Sequence, residues 1–246
     1  MPLASDVFRS YGGKRRWKRL TAFSAHVSIG GSLLGPGSTS PPGGPPGGPP
    51  GGPPGGRPFS REFAIEGDPR DPSLKLFGST DTDRYFLYRP NRIEIRTRRD
   101  ALITGADHPD ATLAESAHGR PLNEIERLFL TGNVLWNAIA GPFAGLLPGA
   151  RTVAAGAGQL DIHLPPHADS LCPHRRLLIG DDGMAYRCDY QMPHVHPGVL
   201  ADMLSAHASF SGILIATLRR ARAIEADGRL GTNSLLDVEI FDVRFQ

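Results

Sequence analysis

Two histidines in the segment MPHVHP have the chemistry and spacing of a metal-ligating pair. His194 and His196 lie two residues apart, and on an extended chain such side chains point to the same side. Neutral imidazoles bind Zn²⁺ or iron. The candidates for further ligands are His174, His207 and Asp189. Because Pro193 and Pro197 bracket the pair, a solvent-exposed loop is the competing interpretation. We predict no cofactor and keep a histidine-bound metal as an alternative.

A second pair of histidines lacks the geometry of a helical metal site. His163 and His167 are four residues apart, but Pro165 and Pro166 between them exclude a helix. We therefore predict that both histidines lie in a loop or on the surface.

Asp189 and His207 are the candidates for acid–base chemistry. Asp189 shares a face of a predicted strand with Arg187, so it is either half of a surface ion pair or a polar anchor inside a cavity. His207 would act as a general base only with a carboxylate or a substrate within hydrogen-bond reach. The other interpretation is a histidine satisfied at the edge of the core. Cys172 and Cys188 lack CxxC spacing, and we predict buried structural thiols, with one disulfide between them as the alternative.

Alternating apolar residues predict the strands that must position these groups. In TAFSAHVSIG, the residues Phe23 to Ile29 alternate between apolar and polar. The segment NRIEIRTR places Ile93 and Ile95 on one face and charged residues on the other. The segment RRLLIGDDGMAYRCDY reads as a hairpin in which Met184, Tyr186, Cys188 and Tyr190 share one face. A change of phase near Ile240–Phe241 predicts a bulge in the last strand.

The middle of the chain has helical periodicity instead. Apolar residues recur at helical spacing from Ile125 to Ile139, which predicts either one helix or a broken pair of helices, interrupted near Thr131–Gly132 and at Gly141–Pro142. With nine to eleven strands, these patterns predict an α+β fold. We expect a curved, mostly antiparallel sheet, a half-barrel, wrapped around this central helix, with a short helix at the N-terminus.

The segment PPGGPPGGPPGGPPGG, residues 41–56, repeats every four residues. Collagen needs glycine at every third position, so this repeat is not collagen-like. It offers no side chain to bury, and we predict a disordered loop over residues 36–57. The preceding residues are too few to form a core of their own. We therefore predict a single domain, 1–246, with the loop between its first two strands.

Composition excludes several function classes. The 246 residues carry a formal net charge of +2, and the basic clusters KRRWKR and RRAR are local, so we predict no nucleic-acid partner. No phosphate-binding loop GxxxxGK[ST] and no GxSxG motif occurs in the sequence. We see neither a signal peptide nor an apolar run of transmembrane length, which predicts a cytoplasmic protein.

Six segments in this order resemble a family of uncharacterised bacterial proteins. They are GGKRRW, ALITGADHPD, LWNAIAGPF, RCDY, SAHASFSGILIATLRRA and LLDVEIFDVRF. That family is distantly similar to the LolA/LolB-like periplasmic lipoprotein carriers. The resemblance implies a half-open antiparallel barrel with a helical lid over an apolar cavity. The chain departs from the family pattern at Cys188, where the family tends to have histidine before Asp-Tyr, and it lacks the carriers' signal peptide.

Together these observations predict a protein that binds an apolar or amphipathic small molecule or lipid in the half-barrel cavity. The predicted cavity wall consists of Phe129, Trp136, Ile139 and Phe143. The predicted polar anchors are Asp189, Tyr190 and His207. One alternative is an enzyme that uses His207 and Asp189 or a histidine-bound metal. The other is a scaffold protein whose Pro-Gly loop binds partners.

Overall fold

The computed structural model describes residues 2–36, 58–80, 83–116, 120–168 and 171–246. The predicted Pro-Gly loop, residues 36–57, lies outside these residues except for Pro36. The strands on either side of the loop, β1 and β2, pair directly with each other in the antiparallel direction.

The described strands form one antiparallel sheet. They are β1 Phe23–Pro36, β2 Pro58–Gly67, β3 Leu74–Gly78, β4 Arg84–Arg89, β5 Arg92–Thr97, β6 Leu102–Asp107, β7 Arg151–Gly156, β8 Gln159–His163, β9 His174–Ile179, β10 Ala185–Met192, β11 His196–Phe210, β12 Ile213–Ala223 and β13 Leu236–Phe245. Their order is β6-β5-β4-β3-β2-β1-β13-β12-β11-β10-β9-β8-β7. The sheet is open, with β6 and β7 at its two edges. The antiparallel α+β class is thus confirmed.

The helices are α1 Pro2–Ser10, α2 Lys14–Trp17, α3 Pro109–Ser116, α4 Glu124–Ala140 and a 3₁₀ helix Gly141–Leu146. The last three connect β6 to β7 and so join the two edges of the sheet. Helix α4 packs on β1, β3, β4, β5 and β12. Most of its residues are buried, so its apolar face and much of its polar face lie inside the protein.

The alternation predicted for several strands is confirmed. In β1 the apolar positions from Phe23 to Ile29 are buried. In β5, Ile93 and Ile95 are buried, while Glu94 on the other face pairs with Arg92 and Arg96 at 2.5 and 2.6 Å. The predicted bulge in β13 is also present, because His26 of β1 pairs with Asp242 and the next residue, Val27, pairs with Ile240. Phe241 is left exposed.

The predicted number of strands is too low. The edge strands β6 and β7 were not predicted, because their residues are mostly exposed and carry no apolar alternation. The start of β11 was also missed, since Pro193 and Pro197 suggested a loop through His196, where the strand begins. The helical insertion follows six strands.

Of the two predictions for the central segment, one helix is right, and the broken pair with an interruption near Thr131–Gly132 is wrong. Helix α4 runs unbroken from Glu124, where Asn123 and Glu126 form a capping box, and ends at Ala140, next to the predicted break at Gly141. Gly132 is there for close packing, since a Cβ on it would lie 2.7 Å from Tyr88 Cδ2 and closer still to Cγ. Glycine thus lets the helix backbone lie directly on a ring of β4.

We expect Gly132→Ala to lower the free energy of unfolding by about 1–3 kcal/mol through overpacking. Alanine is the better helix former by about 1 kcal/mol, so helix propensity alone predicts the opposite sign. In a Tyr88→Gly background, which removes the ring and also the Cβ that lies against this position, the same substitution should become neutral or stabilising. Chemical denaturation of the four proteins in this cycle measures the difference. A Gly132→Ala variant as stable as wild type would contradict the packing argument.

Candidate functional site

A cluster of buried polar residues lies between helix α4 and strands β9 to β12. We call Asn133, Asn137, Arg175, Asp202 and Arg219 the buried polar cluster. The two asparagines are one turn apart on α4, and the other three residues come from β9, β11 and β12. The cluster therefore joins the helix to the half of the sheet that is not its main packing surface.

Hydrogen bonds run through the cluster from one side of the core to the other. Asn133 donates to the Tyr88 hydroxyl at 3.1 Å, and Asn137 donates to Asn133 Oδ1 at 3.3 Å. Arg175 donates to Asn137 Oδ1 at 2.7 Å. Arg219 donates to the backbone carbonyl of Asn137 at 3.3 Å. The side chains and backbone of α4 are thus anchored to two guanidinium groups from the sheet.

Asp202 and Arg219 form a buried ion pair within this cluster. Arg219 Nε donates to Asp202 Oδ2 at 2.8 Å, and Nη2 donates to the same oxygen. Their side chains are only 6% and 13% exposed. Burial raises the pKa of Asp202, and the charge and hydrogen bonds of Arg219 oppose that rise. Each of the two buried charges is stabilised by the other, and removing one would leave the other buried without compensation.

Two small cavities flank the cluster. The first has a mostly apolar lining that includes Ile139, Phe143, Leu204 and Leu214, with Arg175, Arg219 and Asn137 at its polar end. The second is lined by residues of the cluster together with Tyr190, Met192 and both cysteines. Each has a volume of about 30 Å³, the share of one water molecule in the liquid. The space between helix and sheet is therefore amphipathic and small.

The predicted wall residues divide into two groups. Ile139 and Phe143 line the first cavity. Phe129 and Trp136 are fully buried but line neither of the two cavities. Among the described residues, the Trp136 indole N–H has no hydrogen-bond partner. An acceptor that reached this N–H would recover part of the free energy lost by burying it.

The predicted anchors Asp189 and Tyr190 lie on opposite faces of the sheet. Tyr190 lines the second cavity, and burial raises its pKa well above the ordinary value. Asp189 faces the other way and accepts two hydrogen bonds from Arg187, at 2.5 and 2.9 Å. Of its two predicted roles, the structure places it in the ion pair on what we call the outer face, the face away from α4.

The predicted phase of β10 is wrong at its start. Tyr186 is 48% exposed, whereas Ala185 and Cys188 are both buried. The register of β10 against β9 shifts between Ala185 and Arg187. Because the shift adds one residue to β10, Ala185 and Cys188 both face the core although they are three residues apart.

His207 lies beside the first cavity. Its Nε2 is 3.2 Å from the hydroxyl of Tyr11, a residue that lines this cavity. The same hydroxyl accepts a hydrogen bond from the Ala185 amide at 3.1 Å. Burial lowers the pKa of His207, and burial raises the pKa of Tyr11 to about 12. His207 is thus a histidine satisfied at the edge of the core, and the structure does not bring it to Asp189.

The MPHVHP histidines lie at the turn between β10 and β11. His196 accepts a hydrogen bond from the Gly198 amide at 3.1 Å through Nδ1. His194 lines an open groove on the outer face together with His174, Arg176 and Asp189.

Cys172 and Cys188 are buried free thiols, as predicted. Burial raises the pKa of the Cys188 thiol to about 12.

Sequence reasoning missed the buried polar cluster itself. Arg175 is in phase with Leu177, which is two residues away on β9 and buried. Arg219 lies in the RRAR segment, which was interpreted as a solvated patch. An arginine in phase with buried apolar residues is the signal that could have located Arg175. Arg219 carried a similar signal, because on β12 it is in phase with the buried residues Ile215 and Ala221.

Among the described residues, no helix is long and apolar enough to cross a membrane. No protein-family model and no curated protein matches the sequence.

Two solved structures share the fold. A DUF1329 family protein from Desulfovibrio piger aligns with a TM-score of 0.51 at 10% identity, covering 100% of this chain and 92% of its own. A LolA superfamily protein from Nitrosomonas europaea aligns with a TM-score of 0.51 at 7% identity, covering 99% of this chain and 93% of its own. The predicted distant resemblance to LolA-like proteins is therefore confirmed as a likeness of fold.

Proposed function

We propose that this protein binds an amphipathic small molecule or lipid between helix α4 and strands β9 to β12. The observation that carries the proposal is the pair of cavities around the buried polar cluster, which places an apolar lining next to two buried guanidinium groups. Binding sites for small molecules are mostly apolar with a few fixed polar groups, and this space has that composition. The LolA-like fold supports the same function.

The site must widen to admit a ligand, since each cavity has room for about one water molecule. Helix α4 packs on β1, β3, β4, β5 and β12, on one side of the sheet. Arg175 of β9 contacts α4 through its hydrogen bond to Asn137 Oδ1. A ligand that supplies its own polar group can replace such bonds. In this proposal the sheet of the single domain curves around α4. The helix moves away from β9 to β12 when the ligand enters, and the domain then closes over the bound ligand.

The charge of the cluster favours a ligand with a negatively charged head group. Among the described residues lining the two cavities, Arg175 and Arg219 are basic and Asp202 is acidic, a formal net charge of +1. Arginine binds carboxylate and phosphate oxygens with two parallel hydrogen bonds. The head group would lie between the guanidinium groups, with Tyr190 at the polar end. The apolar chain would lie along Ile139 and Phe143, with Phe129 and Trp136 behind them.

A cytoplasmic location and the absence of a nucleic-acid partner remain predictions. The acid–base enzyme is not supported by the geometry, because Asp189 and His207 each have a partner of their own, Arg187 and Tyr11.

We expect Arg175→Met to weaken the binding of dodecanoic acid by about tenfold or more, because a hydrogen bond to a charged group contributes about 1.5–3 kcal/mol. Binding of dodecanol, which has the same chain and no charge, should change by less than about twofold, the size of a weak neutral contact. Isothermal titration calorimetry of both ligands measures the two affinities. Arg187→Met, which removes a guanidinium from the outer face, is the matched control and should leave both unchanged.

Two outcomes would contradict the head-group assignment. One is an equal loss of affinity for the acid and the alcohol in Arg175→Met. The other is a loss of acid binding in Arg187→Met. If Arg175→Met lowers the melting temperature, Arg175→Lys keeps the positive charge and should retain part of the preference for the acid.

A further inference from the structure

A separate group of metal-ligating side chains lies on the outer face of β8 and β9. His163 and His174 are directly opposite each other in this pair of strands. Their rings are parallel, with centroids 4.4 Å apart. His174 Nε2 is 3.6 Å from Asp161 Oδ2. One ligand atom from each of the three residues lies within 4.8 Å of the others.

We propose that Asp161, His163 and His174 bind a divalent transition-metal ion of the Zn²⁺ class. Imidazole nitrogen and carboxylate oxygen are ordinary Zn²⁺ ligands with bonds of about 2.0–2.2 Å. Tetrahedral coordination at that bond length places two ligand atoms about 3.3 Å apart. The 3.6 Å between Asp161 and His174 is close to this separation.

The surroundings hold the carboxylate in place and leave it able to bind a metal. Arg176 donates to both oxygens of Asp161, at 2.7 and 3.0 Å, and a carboxylate has further lone pairs beyond these two. The side chain of Asp161 is only 12% exposed. One ligand is therefore fixed before a metal arrives.

The two histidines need a small rearrangement. Parallel rings do not direct their nitrogen lone pairs at one point, so at least one ring must turn about χ2. That torsion is broad for histidine, and the side chain of His174 is 51% exposed, which leaves it room to turn. The backbone of His174 stays in place, because it is paired in the sheet and its carbonyl is 3.7 Å from Cys172 Sγ.

His174, one of the three ligands, also lines a groove on the outer face, so a metal bound beside it would keep a coordination position for water or a bound molecule. The groove has a volume of about 490 Å³ and is lined by His174, Arg176, Asp189, Gln191 and His194 among others. Three protein ligands with one open position is the arrangement of catalytic zinc sites, whereas structural sites use four protein ligands. The metal alternative raised by the sequence thus moves from His194 and His196 to a cross-strand pair.

Zn²⁺ titration of the metal-free protein tests this site. We expect one equivalent of Zn²⁺ to bind to wild type. Mutation of a residue that only hydrogen-bonds to a metal ligand already lowers metal affinity by about 10–100-fold. Loss of a ligand itself, in His163→Ala or His174→Ala, should therefore weaken Zn²⁺ binding by at least about tenfold. His26→Ala, which removes an exposed histidine of β1, is the matched control and should bind like wild type. Melting temperatures of the variants without metal establish that they are folded.

Three results would overturn the assignment. The first is a wild-type protein that does not bind Zn²⁺ at micromolar concentration. The second is unchanged binding in His163→Ala and His174→Ala. The third is binding that is lost in His194→Ala/His196→Ala but kept in His174→Ala, which would place the metal at the turn between β10 and β11. None of these measurements involves a lipid or fatty acid, so the outcome is independent of the proposed function.

Discussion

Arg219→Met is expected to lower the free energy of unfolding by about 3–5 kcal/mol, the cost of removing one partner of a buried ion pair. Asp202 would then be buried without the guanidinium that donates to its Oδ2. The variant also loses the hydrogen bond from Arg219 to the backbone of Asn137, which links β12 to helix α4. Urea denaturation followed by circular dichroism measures the change.

The loss should depend on pH in a defined direction. Burial raises the pKa of Asp202 in the folded protein, and without Arg219 the rise is larger. A carboxyl whose folded pKa lies above its unfolded value binds its proton more tightly in the folded state. The variant should therefore be more stable at low pH and lose stability as the pH rises through the folded pKa. The difference from wild type should shrink as the pH is lowered towards the unfolded value of about 4.

A double variant separates loss of the pair from loss of volume. Asp202→Leu/Arg219→Met removes both charges and should recover most of the stability, since a buried pair replaced by apolar residues is often neutral. Arg229→Met breaks an exposed pair with Asp227 and should have almost no effect. A loss below about 1 kcal/mol in Arg219→Met, the scale of a surface pair, would contradict the burial of this pair.

Trp17→Ala is expected to destabilise the protein by about 3–5 kcal/mol, as is typical of a buried aromatic residue cut to alanine. Trp17 stacks on Phe143 with ring centroids 4.5 Å apart. Phe8 also stacks on Phe143, with ring centroids 5.8 Å apart. Phe245 at the end of β13 meets Trp17 edge-on at 6.1 Å. For a domain of this size the melting temperature should fall by about 10 °C.

This variant also tests the prediction of a single domain, 1–246. If the residues before the Pro-Gly repeat belong to the same cooperative unit as those after it, Trp17→Ala shifts the whole unfolding transition. Near-ultraviolet and far-ultraviolet circular dichroism would then give the same lowered midpoint. Trp17→Phe keeps an aromatic ring and should recover part of the stability. An early separate transition, with the rest of the protein melting as in wild type, would contradict the prediction.

Strands with one buried face could be predicted from the sequence because burial imposes alternation on it. The pattern from Phe23 to Ile29 located β1, and the pattern around Ile93 and Ile95 located β5 together with its charged outer face. Even the bulge at Phe241 was visible, since an extra residue changes the phase of an otherwise regular pattern. The edge strands β6 and β7 had no such signal, since both of their faces are largely exposed.

Errors arose where one local pattern had two physical causes. Glycine in a helical pattern suggests a break, yet Gly132 serves close packing against Tyr88. Prolines around histidines suggest a loop, yet β11 begins at His196. The shift of register near Tyr186 turns Ala185 to the core and Tyr186 to the surface, but the predicted alternation of β10 still placed Cys188 and Tyr190 on the face towards the core.

The candidate sites were harder to predict because they are assembled across strands. Ile139 and Phe143 were predicted as cavity wall from the helical pattern alone, and both line a cavity. Arg175 and Arg219 come from strands three positions apart in the sheet order, and no spacing along the chain reveals that they share a cavity. His163 and His174 are likewise opposite each other only because β8 and β9 pair in one register.

Native mass spectrometry measures most directly whether an amphipathic molecule binds between α4 and β9 to β12. The protein is compared as purified, after denaturation, and after incubation with dodecanoic acid, with Arg175→Met alongside. We predict one bound molecule per chain, either copurified or added, that is released on denaturation and reduced in Arg175→Met. A protein that carries no added mass as purified and takes up neither dodecanoic acid nor dodecanol would contradict the proposed function.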